Sequence, residues 1–335
     1  MFKWLFGIVG LIVLLAAGAF FVLKRDDIPY ATLAAKYENG ASRYVDLPGG
    51  IRMHYRDEGA AQPANGPPVP TIVLIHGFSA SVYTWQAWVP KLGNQYRVIS
   101  VDLPGHGLTQ APAGYRPSIE NFRDAVFAFT QAEHLTHFAL AGNSMGGNVA
   151  WEYALAHPDQ LDALILVDAA GWPHPNEGAL NTSPMMKALR NPTLGPILMN
   201  LDNTRVFRQG LEAAFADPGK VDDAMVTRYT DFARAPGHRQ ILLQLQTGTR
   251  RQASDALLSA IHVPTLILWG QQDHLIPVAD AERFHHAVPG SEVKIFDNSG
   301  HVPEEEVPDD SSAAVLAFLQ RVHQTDPRTT AAPVH

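Results

Sequence analysis

The stretch of this chain best suited to chemistry is Gly142-Asn143-Ser144-Met145-Gly146-Gly147. The apolar run Phe138-Ala139-Leu140-Ala141 leads into it. A helical pattern starts at once at Met145 and closes at His157-Pro158. A strand, a sharp turn and a helix in that order form the setting in which Gly-x-Ser-x-Gly presents its serine as a nucleophile. The turn strains the backbone at Ser144, and Gly142 and Gly146 lack the Cβ atoms that would clash there. The serine oxygen then stands exposed above the strand end, with the Met145 amide pointing into the same space. A serine hydroxyl is a poor nucleophile at neutral pH. It needs a base within hydrogen-bond reach, and the base needs an acid to hold its tautomer.

The elements that would bring such partners together can be read on either side. Arg43–Asp46 and Arg52–Asp57 read as two strands joined at Pro48-Gly49-Gly50. Thr71–Ile75 is a continuous, mostly β-branched run, the mark of a strand buried on both faces of a parallel sheet; Leu161–Val167 reads as another buried strand, and Arg97–Val101 and Pro264–Trp269 as further strands. Glu292–Phe296 adds another. Helical patterns lie between them: Tyr83–Leu92, a helix capped by Ser118 with Phe122, Val126 and Phe129 on its apolar face, Val278–Val288, and Asp309–Val322. The alternation predicts an α/β domain with a mostly parallel sheet. Sites in such sheets lie at the carboxyl ends of the strands. His76-Gly77-Phe78, Asp102, Ser144, Asp168, Asp273 and His301 all follow strands, so they gather on one edge.

Composition narrows the class further. The 335 residues are 46% hydrophobic and carry a formal net charge of −8 with no basic stripe, which argues against a nucleic-acid partner. There is no cysteine, so disulfides, a thiol nucleophile and thiolate metal sites are excluded. No metal-ligand constellation or phosphate loop competes with the serine site, and no cofactor is expected.

His76-Gly77-Phe78, Asp102-Leu103-Pro104-Gly105-His106-Gly107, the Ser144 turn, Trp269-Gly270-Gln271-Gln272-Asp273 and Gly300-His301 together resemble the α/β-hydrolases, over residues 43 to 323. The chain order Ser144, Asp273, His301 is the order of that fold's triad. The resemblance makes His301 the base and Asp273 the acid that orients it. Asp168, also at a strand end, is the alternative acid. The family pattern gives the oxyanion hole to the backbone amides of Phe78 and Met145. His76 is read as support for its loop, and Asp102 and Asp168 as partners of nearby loop backbone. A serine at the turn disfavours the dehalogenase and epoxide hydrolase branches, which use aspartate there. Esterases, lipases, thioesterases, amidases, peptidases, C–C bond hydrolases and acyltransferases remain.

Two further segments bear on the substrate. Trp4–Leu23 is 20 residues without a charge, framed by Lys3 and Lys24-Arg25. As a helix it spans about 30 Å, a bilayer core. Residues 1–25 are therefore expected to form an uncleaved transmembrane anchor, with Ala17-Gly18-Ala19 as the alternative, a signal-peptide cleavage site. Gly7, Gly10, Ala17 and Gly18 share one face, which suits a homodimer through this helix. Residues 26–42 read as a juxtamembrane linker with a short helix. Residues 43–170 and 260–323 make the hydrolase core, and 324–335 a disordered tail. Between the core halves, 171–259 is rich in prolines and in apolar and methionine side chains, and reads as a helical cap over the strand ends. Flexible apolar side chains suit acyl chains. With its leading apolar helix the chain resembles bacterial membrane-anchored lipases and phospholipases A. That resemblance implies a serine hydrolase of lipid esters at the inner membrane, its catalytic domain in the periplasm and a membrane lipid or small ester as substrate. The alternatives are a peptidase or amidase, a C–C bond hydrolase, and a non-catalytic binding protein.

Overall fold

The computed structural model describes residues 14, 18, 20–62, 69–174, 184–191, 193–247 and 251–325. Its centre is one sheet of eight strands: β1 (Ser42–Leu47), β2 (Ile51–Gly59), β3 (Thr71–Ile75), β4 (Arg97–Val101), β5 (Phe138–Asn143), β6 (Leu161–Val167), β7 (Thr265–Gly270) and β8 (Glu292–Phe296). The spatial order is β1-β2-β4-β3-β5-β6-β7-β8. β1 and β2 form an antiparallel hairpin in which Leu47 faces Ile51 across the glycine turn, and β2 runs antiparallel to β4. All other pairings are parallel.

The continuous apolar runs are explained by two cores. Every residue of β3, β5 and β7 is buried. Val73, Ile75 and Leu140 face the helices Ile119–Ala132, Met145–Ala156 and Ala279–Ala287 through Phe122, Phe129, Trp151 and Phe284. Ile72, Leu74, Ala139 and Ala141 face the other way, onto Trp85, Trp88 and the Pro308–Thr325 helix through Phe318 and Leu319. Alternate side chains of one strand thus enter opposite cores, so the middle of each strand is apolar on both faces. Ser118 caps the Ile119 helix as expected, its Oγ accepting from Asn121 N at 3.1 Å.

The expected helix Tyr83–Leu92 is instead a 3-10 turn, Val82–Trp85, followed by a single turn, Val89–Leu92. Pro90 lacks an amide hydrogen, and its ring excludes the carbonyl four residues earlier, so one helix cannot run through it. The break turns Trp85 and Trp88 both into the core, ring centroids 5.1 Å apart.

Between β6 and β7 lie the helices Pro184–Arg190, Leu194–Met199, Thr204–Ala214, Asp223–Ala233, His238–Thr247 and Asp255–Leu258. They close over the carboxyl edge of the sheet around a small core of Leu211, Phe215, Val221 and Val226, joined by Val302 from beyond β8. The segment entering from the N-terminus is built into this cap. Lys24 bridges Leu201, Arg25 N donates to Asn200 O, and Asp202 N donates to Leu23 O. Arg234 and Arg239 donate to the carbonyls of Asp26 and Arg25. The helix Tyr30–Tyr37 then buries Leu33 and Tyr37 against Phe232 and Leu108. The expected anchor falls largely outside the described residues: of Trp4–Leu23, only Leu14, Gly18 and Phe20–Leu23 are described. Among the described residues no helix is long and apolar enough to cross a membrane. The tail from 326 onward also lies outside them.

Candidate active site

Ser144 stands between the end of β5 and the helix Met145–Ala156, with φ of 53° and ψ of −117°. Few non-glycine residues adopt this conformation, and the surroundings hold it: Ser144 N donates to Val167 O at 2.9 Å, and Ala170 N donates to Ser144 O at 2.9 Å. The turn closes only because its flanks are glycine. A Cβ on Gly142 would lie 2.2 Å from Gly146 O, and one on Gly146 would lie 2.2 Å from Ile75 O. Met145 opens the helix, so its amide has no acceptor within the helix and sits at the positive end of the helix dipole. Gly77 brings the turn after β3 against Ser144; a Cβ there would lie 3.2 Å from Ser144 Cβ.

His301 arrives on the loop after β8, with its side chain buried. Its Nδ1 is 2.7 Å from Asp273 Oδ2. The other oxygen of Asp273 accepts from Leu275 N at 2.7 Å and Ile276 N at 3.0 Å, which fixes the carboxylate in the turn after β7. With Nδ1 donating to a carboxylate, Nε2 is the ring nitrogen left to accept a proton. The backbone of His301 is held from both sides. Asn143 Nδ2 donates to its carbonyl at 3.0 Å, and its own amide donates to Ala214 O of the cap at 2.7 Å.

Ser144, His301, Gly77 and Phe78 line one cavity of about 840 Å³ beneath the cap. That is toward the upper end of the roughly 300–1,000 Å³ usual for small-molecule pockets. The rest of its wall is mainly aliphatic and aromatic, including Leu198, Leu201, Phe207, Leu211 and Phe215. Leu23 and Arg25 of the incoming segment complete it. The sequence-predicted Ser144, His301, Phe78 and the start of the Met145 helix are thus brought to one place, with Asp273 behind the imidazole.

Asp102 and His76 are brought together elsewhere, as loop supports. Asp102 accepts from Val82 N, Leu108 N and His54 Nδ1. His76 Nε2 accepts from Leu103 N at 3.0 Å while Nδ1 donates to Gly77 O at 2.7 Å. Burial pushes His76 below the usual imidazole range, despite the Asp102 carboxylate, and so keeps it the neutral ring those two bonds require. Ser42 Oγ, His54 and Asp102 form a second serine–histidine–aspartate string, with Ser42 Oγ 3.1 Å from Nε2 and Nδ1 2.7 Å from the carboxylate. None of the three lines the cavity. The string joins β1 and β2 to the loop after β4, and shows that the residue types alone do not make a site.

Sequence reasoning missed Asn143, which its place directly before the serine of the Gly-x-Ser-x-Gly motif could have flagged, and Glu306. The Glu306 carboxylate accepts from Gly300 N, from Ala216 N at 2.9 and 3.1 Å, and from Asp217 N at 3.2 Å. It therefore fastens the loop carrying His301 to the cap. It is the last of three consecutive glutamates, and no sequence signal separates it from an exposed helix start.

The sheet order, the turn at Ser144 and the inserted cap define an α/β-hydrolase, and residues 70–306 match the family model described as alpha/beta hydrolase fold. The chain belongs to that family. Among curated relatives it is 30% identical over 254 residues to the dihydrolipoyllysine-residue acetyltransferase component of an acetoin cleaving system from Pseudomonas putida, a match covering 75% of this chain and 63% of that one. It is 27% identical over 262 residues to monoacylglycerol lipase ABHD6 of Bos taurus, covering 77% of each. It is 29% identical over 306 residues to 2-hydroxy-6-oxo-6-(2'-aminophenyl)hexa-2,4-dienoic acid hydrolase of Metapseudomonas resinovorans, covering 85% of this chain and 94% of that one. Among solved structures, a membrane phospholipase A described as a bacterial virulence factor superposes with a TM-score of 0.70 at 29% identity, over 97% of this chain and all of that one.

Proposed function

We propose that the chain is a serine hydrolase that cleaves the acyl esters of lipids. The observation that carries this reading is the placement of Ser144 and His301 in the wall of a large, mainly apolar cavity. Such a wall excludes water from an acyl chain and offers few polar groups to a peptide. An ester carbonyl enters beside Ser144, and Oγ attacks it while His301 Nε2 takes the proton. Asp273 holds the imidazolium in place. The amides of Phe78 and Met145 receive the oxyanion, a contribution on the order of 3 kcal/mol for each donor. Collapse expels the alcohol, which takes the proton from His301. A water then repeats the sequence on the acyl-enzyme and releases the carboxylic acid. The likeness to a monoacylglycerol lipase and a membrane phospholipase A supports a lipid ester substrate.

The apolar stretch 4–23 is proposed to anchor the chain in a membrane. Leu23, at its end, lines the cavity, and Phe21, Val22, Leu194, Ile197 and Val206 are exposed apolar side chains on the same segment and on the cap. An anchor there delivers the cavity to lipid. The likeness to the dienoic acid hydrolase favours a second reading, C–C bond hydrolysis by the same serine.

The test is hydrolysis by the detergent-solubilised full chain, beside Ser144→Ala. The panel comprises p-nitrophenyl esters of short to long acyl chains, a monoacylglycerol, a lysophospholipid, a diacyl phospholipid, an aminoacyl anilide and a vinylogous 1,5-diketone. Fatty-acid release that the variant loses supports the proposal. Turnover confined to the anilide or the diketone refutes it.

A further inference from the structure

Asp168 follows β6 and is fully buried, with φ of 44°. β6 neighbours β7 in the sheet, so Asp168 lies against the turn that carries Asp273. Its Oδ1 accepts from Gly270 N at 2.9 Å; its Oδ2 is buried with no N–H donor in reach among the described residues, and its carboxyl hydrogen-bonds the Asp273 carboxyl. One polar side-chain atom each from Asp168, Asp273 and His301 lie within 4.8 Å of one another. Neither aspartate lines the cavity, so both stand behind the imidazole.

Two carboxyl groups this close, away from water, do not both ionise, and the one with more donors keeps the charge. Asp273 has the amides of Leu275 and Ile276 and His301 Nδ1; Asp168 has the amide of Gly270 alone. The charge therefore belongs to Asp273 and the proton to Asp168. Burial first, then the Asp273 charge and the nearby Glu304, push the Asp168 carboxyl well above the usual carboxylate range. Glu304 is itself pushed up by burial and so adds little negative charge.

We propose that Asp168 is a positioning residue of this site: its neutral carboxyl backs Asp273, so that one negative charge rather than two faces His301, and it takes over as the partner of Nδ1 when the Asp273 charge is removed. The proposal rests on the triad reading above. The second role follows from the first. Once Asp273 is neutral, the repulsion that keeps the proton on Asp168 is gone, and Oδ2, which no N–H reaches, is left to accept from the ring.

The experiment is the pH dependence of kcat/KM on a p-nitrophenyl ester for the full chain and for Asp168→Asn, Asp273→Asn, the double variant and Ser144→Ala. Thermal melts confirm that each is folded, and the asparagine at 168 keeps the size and neutrality of the proposed state. Asp168→Asn is expected to leave the acid limb of the profile where it is in the parent. Asp273→Asn is expected to fall by about 10⁴-fold or less, with residual turnover that rises with pH as Asp168 ionises. Adding Asp168→Asn is expected to remove that rise and cost at least about tenfold more. An acid limb displaced by about one pH unit or more in Asp168→Asn overturns the neutral state, because an ionised neighbour at this range has an effect of that size. A double variant no slower than Asp273→Asn overturns the substitute role. Full turnover in Ser144→Ala overturns the triad reading and this proposal with it, whereas the other two outcomes overturn this proposal alone.

Discussion

Replacing Glu306 by alanine would separate the cap from the catalytic loop without touching a residue that lines the cavity. In the native chain its carboxylate holds the buried amide of Gly300, the half-buried amide of Ala216 and the amide of Asp217. A hydrogen bond to a buried charged group is worth about 1.5–3 kcal/mol, and the half-buried one about 1 kcal/mol. The Asp217 amide is exposed and regains water. The expected loss is therefore about 2.5–4 kcal/mol, a large share of the roughly 5–15 kcal/mol that holds a domain folded. At roughly 2–4 °C per kcal/mol for a domain of this size, Tm should fall by roughly 5–16 °C. Gly300 precedes His301, so the loop moves with it, and a misplacement of about 1 Å at a catalytic group costs on the order of 100-fold. kcat on a short p-nitrophenyl ester should fall by roughly 10- to 100-fold. Glu306→Gln, which keeps one acceptor oxygen in place, should recover part of both losses. The assay is a thermal melt paired with steady-state kinetics below the melting transition. A variant that melts within about 2 °C of the parent and turns over at the parental kcat would refute the inference that Glu306 ties the His301 loop to the cap.

Burial raises the Glu305 carboxyl to about 7, against a lowering by the Thr84 hydroxyl, which donates to it at 2.6 Å, and by Arg228. The folded pKa lies above the unfolded value, so this group's contribution to stability is full below about pH 4.5, declines as pH rises toward about 7 and levels off beyond, a change of at most about 3 kcal/mol. Glu305→Gln keeps the oxygen that Thr84 binds and should raise Tm near pH 8 while leaving it unchanged near pH 4; equal melts near pH 8 would contradict this. Gly210 lines the cavity on the helix Thr204–Ala214, and a Cβ there meets nothing within 4 Å. Gly210→Phe should fill that space and also favour the helix by about 0.5 kcal/mol. Turnover of long-chain esters should drop at least about tenfold with short-chain turnover held, and an unchanged chain-length profile would place the acyl chain elsewhere.

The motifs at strand ends were legible because each carries its own local cause: Ser144 between two glycines, His301 after Gly300, Asp273 after β7. Their convergence could be read as well, since an alternating chain puts the carboxyl ends of its parallel strands on one edge. The relation between Asp168 and Asp273 could not be read. The sequence presents them as rivals for one role, and only the adjacency of β6 and β7 shows that they stand together. Glu306 was hidden for a different reason. Three glutamates at a helix start read as a solvated first turn that suits the helix dipole, whereas Glu306 meets a cap that returns from about ninety residues earlier and Glu304 meets Thr84 of the turn after β3. The segment 23–26 read as the end of an apolar stretch. Its place in the cavity wall depends on pairing with Leu201 across a long separation, which no local pattern records.

The central claim, that Ser144 is the nucleophile of an apolar acyl cavity, is tested most directly by reacting the full chain with a long-chain fluorophosphonate and mapping the adduct by mass spectrometry. The account predicts a single adduct on Ser144, slowed by a competing long-chain ester, with Ser42 unmodified although it too contacts a histidine that holds an aspartate. An unlabelled Ser144 in folded protein, or an adduct at Ser42 instead, would contradict it.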